Sequence, residues 1–288
     1  MKKILPLIAT LALLLSACEN VSEKSADSDK ISVYTSFYAM YDFAKTIGGD
    51  KADVKVLCPV GTEPHDYEPT AADMAKLSQA DVFIYNGMGM EHWTESIEDP
   101  LKNEQVDIVC TSDYAIDITE NEDPHIWLNP KNAYAQFEAI TNALIEADSQ
   151  NSDYYSARLL SVKEKTDKLI ADYTSAISGF SSFDIVTSHD AYSNLCDTFK
   201  LNQIPVNGVD NSEDPTPSRI AELAEYIKDK QIKYIFTEPL GTSSIIETLS
   251  DETGAQILTL DPFEGNGENK DYFTVMYENL DALKKALE

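Results

Sequence analysis

Residues 152–177 read SDYYSARLLSVKEKTDKLIADYTSAI, a run without glycine or proline. Such a stretch predicts a single helix, and at 1.5 Å per residue it would extend about 40 Å, enough to cross a whole domain. Just before it, the residues from Pro130 to about Ala147 carry a second helical pattern. On the N-terminal side of this pair, short β-branched runs alternate with helical stretches. Strands are expected at Ile31–Phe37, Asp53–Val60, Val82–Tyr85 and Val106–Cys110, and helices at Tyr38–Ile47, Ala71–Ser78 and Met90–Lys102. Beyond Gly179 the alternation resumes, with strands expected at Asp184–Ser188, Gln203–Val206, Tyr234–Thr237 and Gln256–Leu260. After Pro217, Ile220, Leu223, Ala224 and Ile227 fall at i, i+3, i+4 and i+7, which gives a helix an apolar face for a sheet. Alternation of this kind predicts βα units and parallel sheets, so the chain reads as α/β in two parts.

The N-terminus reads as an export signal. Lys2 and Lys3 precede an apolar run from Ile4 to Leu15, too short to span a bilayer, and Leu15-Ser16-Ala17-Cys18 resembles the bacterial lipobox. Residues 1–17 are then a signal peptide and Cys18 the lipidated N-terminus. Residues 18–30 are polar, contain no aromatic residue and form a tether to the membrane. Cleavage before Cys18 leaves twenty basic residues against fifty acidic ones, a formal charge of −30 compared with −28 for all 288 residues. Such a chain excludes nucleic acid and anionic lipid surfaces as electrostatic partners. Its diffuse field favours the approach of cations, although acidity alone does not identify a metal. Besides Cys18 there are Cys58, Cys110 and Cys196, an odd set without CxxC spacing, which reads as buried small hydrophobes.

Three of the four histidines lie just beyond an expected strand: His65 in Pro64-His65-Asp66-Tyr67-Glu68-Pro69, His125 in Asp123-Pro124-His125-Ile126-Trp127-Leu128-Asn129-Pro130, and His189 in Ser188-His189-Asp190. Asp261 likewise follows the last strand. Ligands of open parallel sheets bind outside the carboxyl ends of the strands, so these groups are placed to converge, two from each half. Imidazole and carboxylate together suit four-coordinate Zn²⁺, whereas Mn²⁺ prefers more oxygen. His92, in Met90-Glu91-His92-Trp93, reads as a surface residue or a neighbour of the ligands. Glu63, Asp66 and Glu68 flank His65, either as solvated loop acids or as a partner for the second nitrogen of an imidazole.

The three histidine segments, with Asn86-Gly87-Met88-Gly89-Met90-Glu91, Phe236-Thr237-Glu238-Pro239 and Asp271-Tyr272-Phe273-Thr274-Val275-Met276, closely resemble the zinc-binding lipoproteins of the cluster A-I (cluster 9) solute-binding family of ABC transporters. The resemblance covers essentially the whole mature chain. It implies two α/β lobes, each a parallel sheet flanked by helices, joined by one long rigid helix with the metal between them. The lobes are then residues 31–150 and 180–288, and the helix 151–179. It further implies a monomeric carrier, not an enzyme, that captures Zn²⁺ outside the cytoplasm, is held to the bilayer through Cys18 and delivers the ion to an ABC-importer permease. Manganese-binding relatives carry a glutamate at the place of His189, so zinc is the expected ion. The acidic Thr119-Glu120-Asn121-Glu122-Asp123 stands where many zinc members have a histidine-rich loop. In Asp261-Pro262-Phe263-Glu264 both Asp261 and Glu264 qualify as the fourth ligand. The alternatives are a Mn²⁺-binding relative, a surface adhesin, and a zinc hydrolase, which lacks support from any HExxH or GxSxG motif.

Overall fold

The computed structural model describes residues 30–118, 123–208, 215–240, 244–265 and 270–288. The expected signal peptide, Cys18 and all but the last residue of the tether lie outside the described residues, as does most of the acidic stretch 119–123. No described helix is long and apolar enough to cross a membrane.

Two four-stranded parallel sheets organise the chain. In the first, β1 (Ile31–Thr35), β2 (Ala52–Val56), β3 (Val82–Tyr85) and β4 (Asp107–Cys110) stand in the order β2-β1-β3-β4. In the second, β5 (Asp184–Thr187), β6 (Asn202–Pro205), β7 (Tyr234–Thr237) and β8 (Gln256–Thr259) repeat that order as β6-β5-β7-β8. The first lobe carries α1 (Tyr38–Gly48), α2 (Ala71–Leu77), α3 (Glu98–Asn103) and α4 (Pro130–Ala147). The second carries α6 (Ser193–Phe199), α7 (Pro217–Asp229), α8 (Ser244–Thr253) and α9 (Tyr272–Leu287).

Between them runs α5 (Ser152–Ile177), the glycine- and proline-free segment. It is mostly polar, yet Tyr155, Val162, Thr166, Leu169, Tyr173 and Ile177 recur every three to seven residues and form one buried stripe. That stripe packs on α1, α4, α6 and α9, so the helix is anchored in both lobes. Hydrogen bonds fix its ends, from the Tyr155 hydroxyl to Asp148 (2.7 Å) and from the Tyr173 hydroxyl to the Met276 carbonyl (2.6 Å).

One apolar core is continuous from the first sheet to the second, and each lobe has a smaller cluster of its own. At its centre Phe43 of α1 stacks on Phe137 of α4, with ring centroids 4.0 Å apart, and the edge of Tyr272 from α9 meets Phe43 at 5.2 Å. Each such pair contributes roughly 1 kcal/mol beyond its buried area. The Trp127 indole donates to the Pro262 carbonyl (2.7 Å), and the Tyr272 hydroxyl donates to the Trp127 carbonyl (2.9 Å). The last helix of the chain is therefore welded onto the first lobe.

One expected helix is not formed as a unit. Met90–Lys102 divides into a turn, a 3₁₀ segment at Thr94–Ser96 and the short α3. Gly87, Met88 and Gly89 all have positive φ, and Glu91 folds back to accept the backbone N–H groups of Asn86 (2.8 Å) and Gly87 (2.9 Å). Pro100 has no N–H to offer the Ser96 carbonyl, so a helix containing it in its first turn starts only just before it. Strands β1 and β2 also stop short of expectation, at Thr35 and Val56.

Candidate metal centre

His65, His125, His189 and Glu264 meet at the carboxyl ends of the strands, between the lobes. His65 lies in the connection from β2 to α2, a helix opened by Thr70. The Thr70 hydroxyl accepts the Asp73 N–H, and the Asp73 carboxylate accepts the Thr70 N–H. His125 stands immediately before the 3₁₀ turn Ile126–Leu128 and is fully buried. Asp123, two residues earlier, fixes its ring: one carboxylate oxygen accepts the His125 backbone N–H (3.0 Å) and lies 2.6 Å from Nδ1. Nε2 is thereby turned inward. It sits 3.2 Å from Nε2 of His65 and 2.8 Å from Oε1 of Glu264.

His189 follows β5 and is also fully buried. Its carbonyl accepts from the Thr187 hydroxyl (2.8 Å) and the Gln203 amide (2.9 Å), which pins the backbone, and its Nδ1 lies 3.1 Å from Glu238 at the end of β7. The same Glu238 oxygen accepts from the Ser188 hydroxyl at 3.1 Å. Each buried imidazole is thus backed by a carboxylate, an arrangement that sets the tautomer and aims the other nitrogen. The three histidines offer one ring nitrogen each within 4.8 Å of one another.

The structure separates the two late carboxylates. Asp261 turns back on its own loop, its side chain accepting the Phe263 N–H (2.8 Å) while Asn279 holds its backbone. Phe263 then adopts φ of +64°, a left-handed conformation rare outside glycine, and buries its ring against Tyr38, Phe43 and Tyr272. That reversal directs Glu264, 3 % exposed, at the histidines. Glu264 belongs to a group with His65 and Glu63 and to another with His189 and Glu238, whereas Asp261 joins neither.

These spacings would suit donors around an ion. Neighbouring ligand atoms of a tetrahedral site with bonds of ~2.0–2.1 Å lie about 3.3 Å apart. The 3.2 Å and 2.8 Å separations are close to that edge. Electrostatics agree with a site that exchanges protons for a cation. Burial opposes charge on His125, but Asp123 and then Glu264 outweigh it and carry its pKa up to about 10. On His189 burial is again opposed, here by Glu238 and then Glu264, and the pKa rises to about 9. Burial would raise Glu264, yet His125, His189 and His65 hold it well below the ordinary carboxylate range. Burial, and next the charge of Glu264, push Glu63 up to about 7.

The acids flanking His65 take other parts. Glu63 accepts the His65 backbone N–H at 3.4 Å, Asp66 is exposed, and Glu68 lies 3.4 Å from the half-exposed His92, away from the cluster. The carboxylates that back imidazoles are instead Asp123 and Glu238. Both had a usable signal: Asp123 is held two residues before His125 by an intervening proline, and Glu238 closes a strand at the same sheet edge as the ligands. Cys58, Cys110 and Cys196 are free thiols, buried or partly so.

Over residues 33–286 the chain matches the family profile described as zinc-uptake complex component A, periplasmic. It is 35% identical over 306 residues to the high-affinity zinc uptake system protein ZnuA of Bacillus subtilis, covering 97% of this chain and 96% of that protein. It is 34% identical over 308 residues to the zinc-binding lipoprotein AdcA of Streptococcus pneumoniae, covering 99% of this chain and 61% of AdcA, so it spans about three-fifths of that longer relative. In three dimensions it is similar to the Zn(II)-bound ZnuA-like domain of Streptococcus pneumoniae AdcA, with a TM-score of 0.80, 32% identity, and coverage of 90% of this chain and 99% of that one.

Proposed function

The chain belongs to the periplasmic zinc-uptake component A family, and from that membership we propose that it captures Zn²⁺ outside the cytoplasm and delivers it to the permease of an ABC importer. His65, His125, His189 and Glu264 are the ligands of this reading. It is carried by the approach of His65 Nε2 and Glu264 Oε1 to within 3.2 and 2.8 Å of His125 Nε2, with His189 in reach. Three imidazoles and one carboxylate fill a tetrahedral shell and select Zn²⁺ over the more oxygen-demanding Mn²⁺. The family is one of solute-binding transport proteins, and the ion is cargo here: it is enclosed, carried and released.

In the same reading, residue Cys18 carries the lipid that tethers a monomeric body to the membrane. Each buried methylene contributes ~0.8 kcal/mol, so two acyl chains hold the protein at the bilayer. Mass spectrometry of membrane-extracted protein is expected to show a diacylglyceryl-modified Cys18, and an unmodified Cys18 overturns the anchor. For the metal, equilibrium competition on protein lacking residues 1–18 should yield one bound Zn²⁺ per chain that Mn²⁺ does not displace. Equal or stronger retention of Mn²⁺ would remove His189 from the ligand set.

A further inference from the structure

Zinc has to pass from water to donors that are sealed from it. His125 and His189 are 0 % exposed and Glu264 is 3 % exposed, whereas Glu63 and His65 are only partly buried. Among these donors, Glu63 and His65 are therefore the ones that solvent reaches. These two and Glu264 form a three-donor group of their own, their ligand atoms within 4.8 Å of one another. The buried Glu264 keeps its Oε2 without a hydrogen-bond donor among the described residues, so an oxygen is available in that direction.

The two loops that face each other here are held in register. The Gly61 N–H donates to the Gly265 carbonyl at 2.8 Å, joining the loop of Glu63 to the loop of Glu264. Gly265 has φ of +112°, and a Cβ there would stand 2.6 Å from Cβ of Tyr38, so only glycine permits the junction.

Resting on the zinc-capture reading above, we propose that Glu63, His65 and Glu264 form an outer station for a partly hydrated divalent cation, from which the ion is handed to the buried set His65, His125, His189 and Glu264. Two carboxylates and one imidazole leave positions for water, so the ion sheds its hydration in two stages. His65 and Glu264 belong to both sets, and the two positions exclude simultaneous occupancy. One ion moves inward by exchanging Glu63 for His125 and His189. Glu63 acts on the rate of loading and unloading, and little on the final affinity.

Stopped-flow loading of the metal-free full chain with Zn²⁺, and unloading into excess chelator, test this with Glu63→Gln and Asp66→Asn. Both substitutions replace one carboxylate beside His65 by an amide, and Asp66 is exposed and outside every donor group. Glu63→Gln is expected to slow association and release together by about tenfold, leaving Kd within about threefold, while Asp66→Asn stays within about twofold throughout. Equal slowing by both variants would mean that the acidic field alone steers the ion, and overturns the station. So would parental rates in Glu63→Gln, or a weakened Kd with association unchanged. If the parent chain takes up no Zn²⁺ at equilibrium, the zinc reading itself falls and the station falls with it. Parental affinity with parental rates in Glu63→Gln removes the station only.

Discussion

The two lobes, matched strand for strand, differ decisively at one residue. In the first, Thr35 ends β1 and Ser36 follows it, its N–H donating to Ile84 of β3; in the second, Thr187 ends β5 and Ser188 follows it, its N–H donating to Phe236 of β7. Carbonyls of both pairs accept matching N–H groups from beyond the neighbouring strand, Leu57 and Cys58 in one lobe, Val206 and Asn207 in the other. Each serine hydroxyl donates to a buried glutamate that follows the third strand: Ser36 to Glu91 at 2.5 Å, Ser188 to Glu238 at 3.1 Å. The next residue is Phe37 in the first lobe and His189 in the second. Glu91 accepts two backbone N–H groups as well and becomes a structural knot, while Glu238 has an imidazole of the candidate metal centre beside it. One scaffold, used twice, turns the same acid into a brace or a tool according to the residue after the serine.

The largest expected effect comes from the histidines themselves. A ligand that binds only the folded body stabilises it by ~4 kcal/mol at a thousandfold excess over Kd. His125→Ala or His189→Ala should abolish most of the zinc-dependent shift in thermal melts, and His92→Ala should keep it. Loss in His92→Ala with retention in His189→Ala would show that the second lobe is not the one equipped for metal.

Next come the paired glutamates. Glu91→Ala leaves a hydroxyl and two N–H groups without their acceptor, and should lower the stability of the metal-free body by about 3 kcal/mol. Glu238→Ala should lower zinc affinity by about 10- to 100-fold with a smaller loss of stability. Denaturant melts and zinc titration on both variants check the contrast, which breaks if the two effects are interchanged. Within the second lobe, Glu264→Ala should weaken zinc binding far more than Asp261→Ala, measured by the same titration. The reverse order would move the fourth ligand to Asp261.

The pH response is the subtlest test. His125 and His189 have folded pKa values of about 10 and about 9 in the metal-free site, above the unperturbed ~6.5. Their contribution to metal-free stability is then complete below about pH 6.5 and is lost as pH rises through 9 to 10. Zinc needs both rings deprotonated, so its binding near pH 7 should release about two protons, and affinity should climb with pH until the same window is passed. Calorimetry in buffers of different ionisation enthalpy counts those protons. Release of none would mean that Asp123 and Glu238 do not hold the imidazoles charged.

Much of this was legible in the sequence because the signals were local. The boundaries of α5 coincide with its glycine- and proline-free run, and α4 opens at Pro130, where the Asn129 side chain caps it. The three histidines stood out because strand ends in parallel sheets are where ligands gather. What escaped depended on contacts distant in sequence or on backbone reversals. The break in Met90–Lys102 arises from Glu91 reaching back to the Gly87 turn, and periodicity does not see a side chain capping its own loop. The choice between Asp261 and Glu264 hangs on the positive φ of Phe263, which an ordinary Asp-Pro-Phe-Glu string does not announce. Helices α6, α8 and α9 were not drawn from the pattern, α6 being only seven residues long.

The weld of α9 onto the first lobe fixes an order of events in the life of the chain. A polypeptide emerging N-terminus first exposes Phe43, Trp127 and Phe137 long before Tyr272 and Phe273 exist to pack on them. Contacts between residues more than two hundred positions apart form late and slowly. The first lobe is therefore completed only when the opening turn of α9, the final helix, has formed.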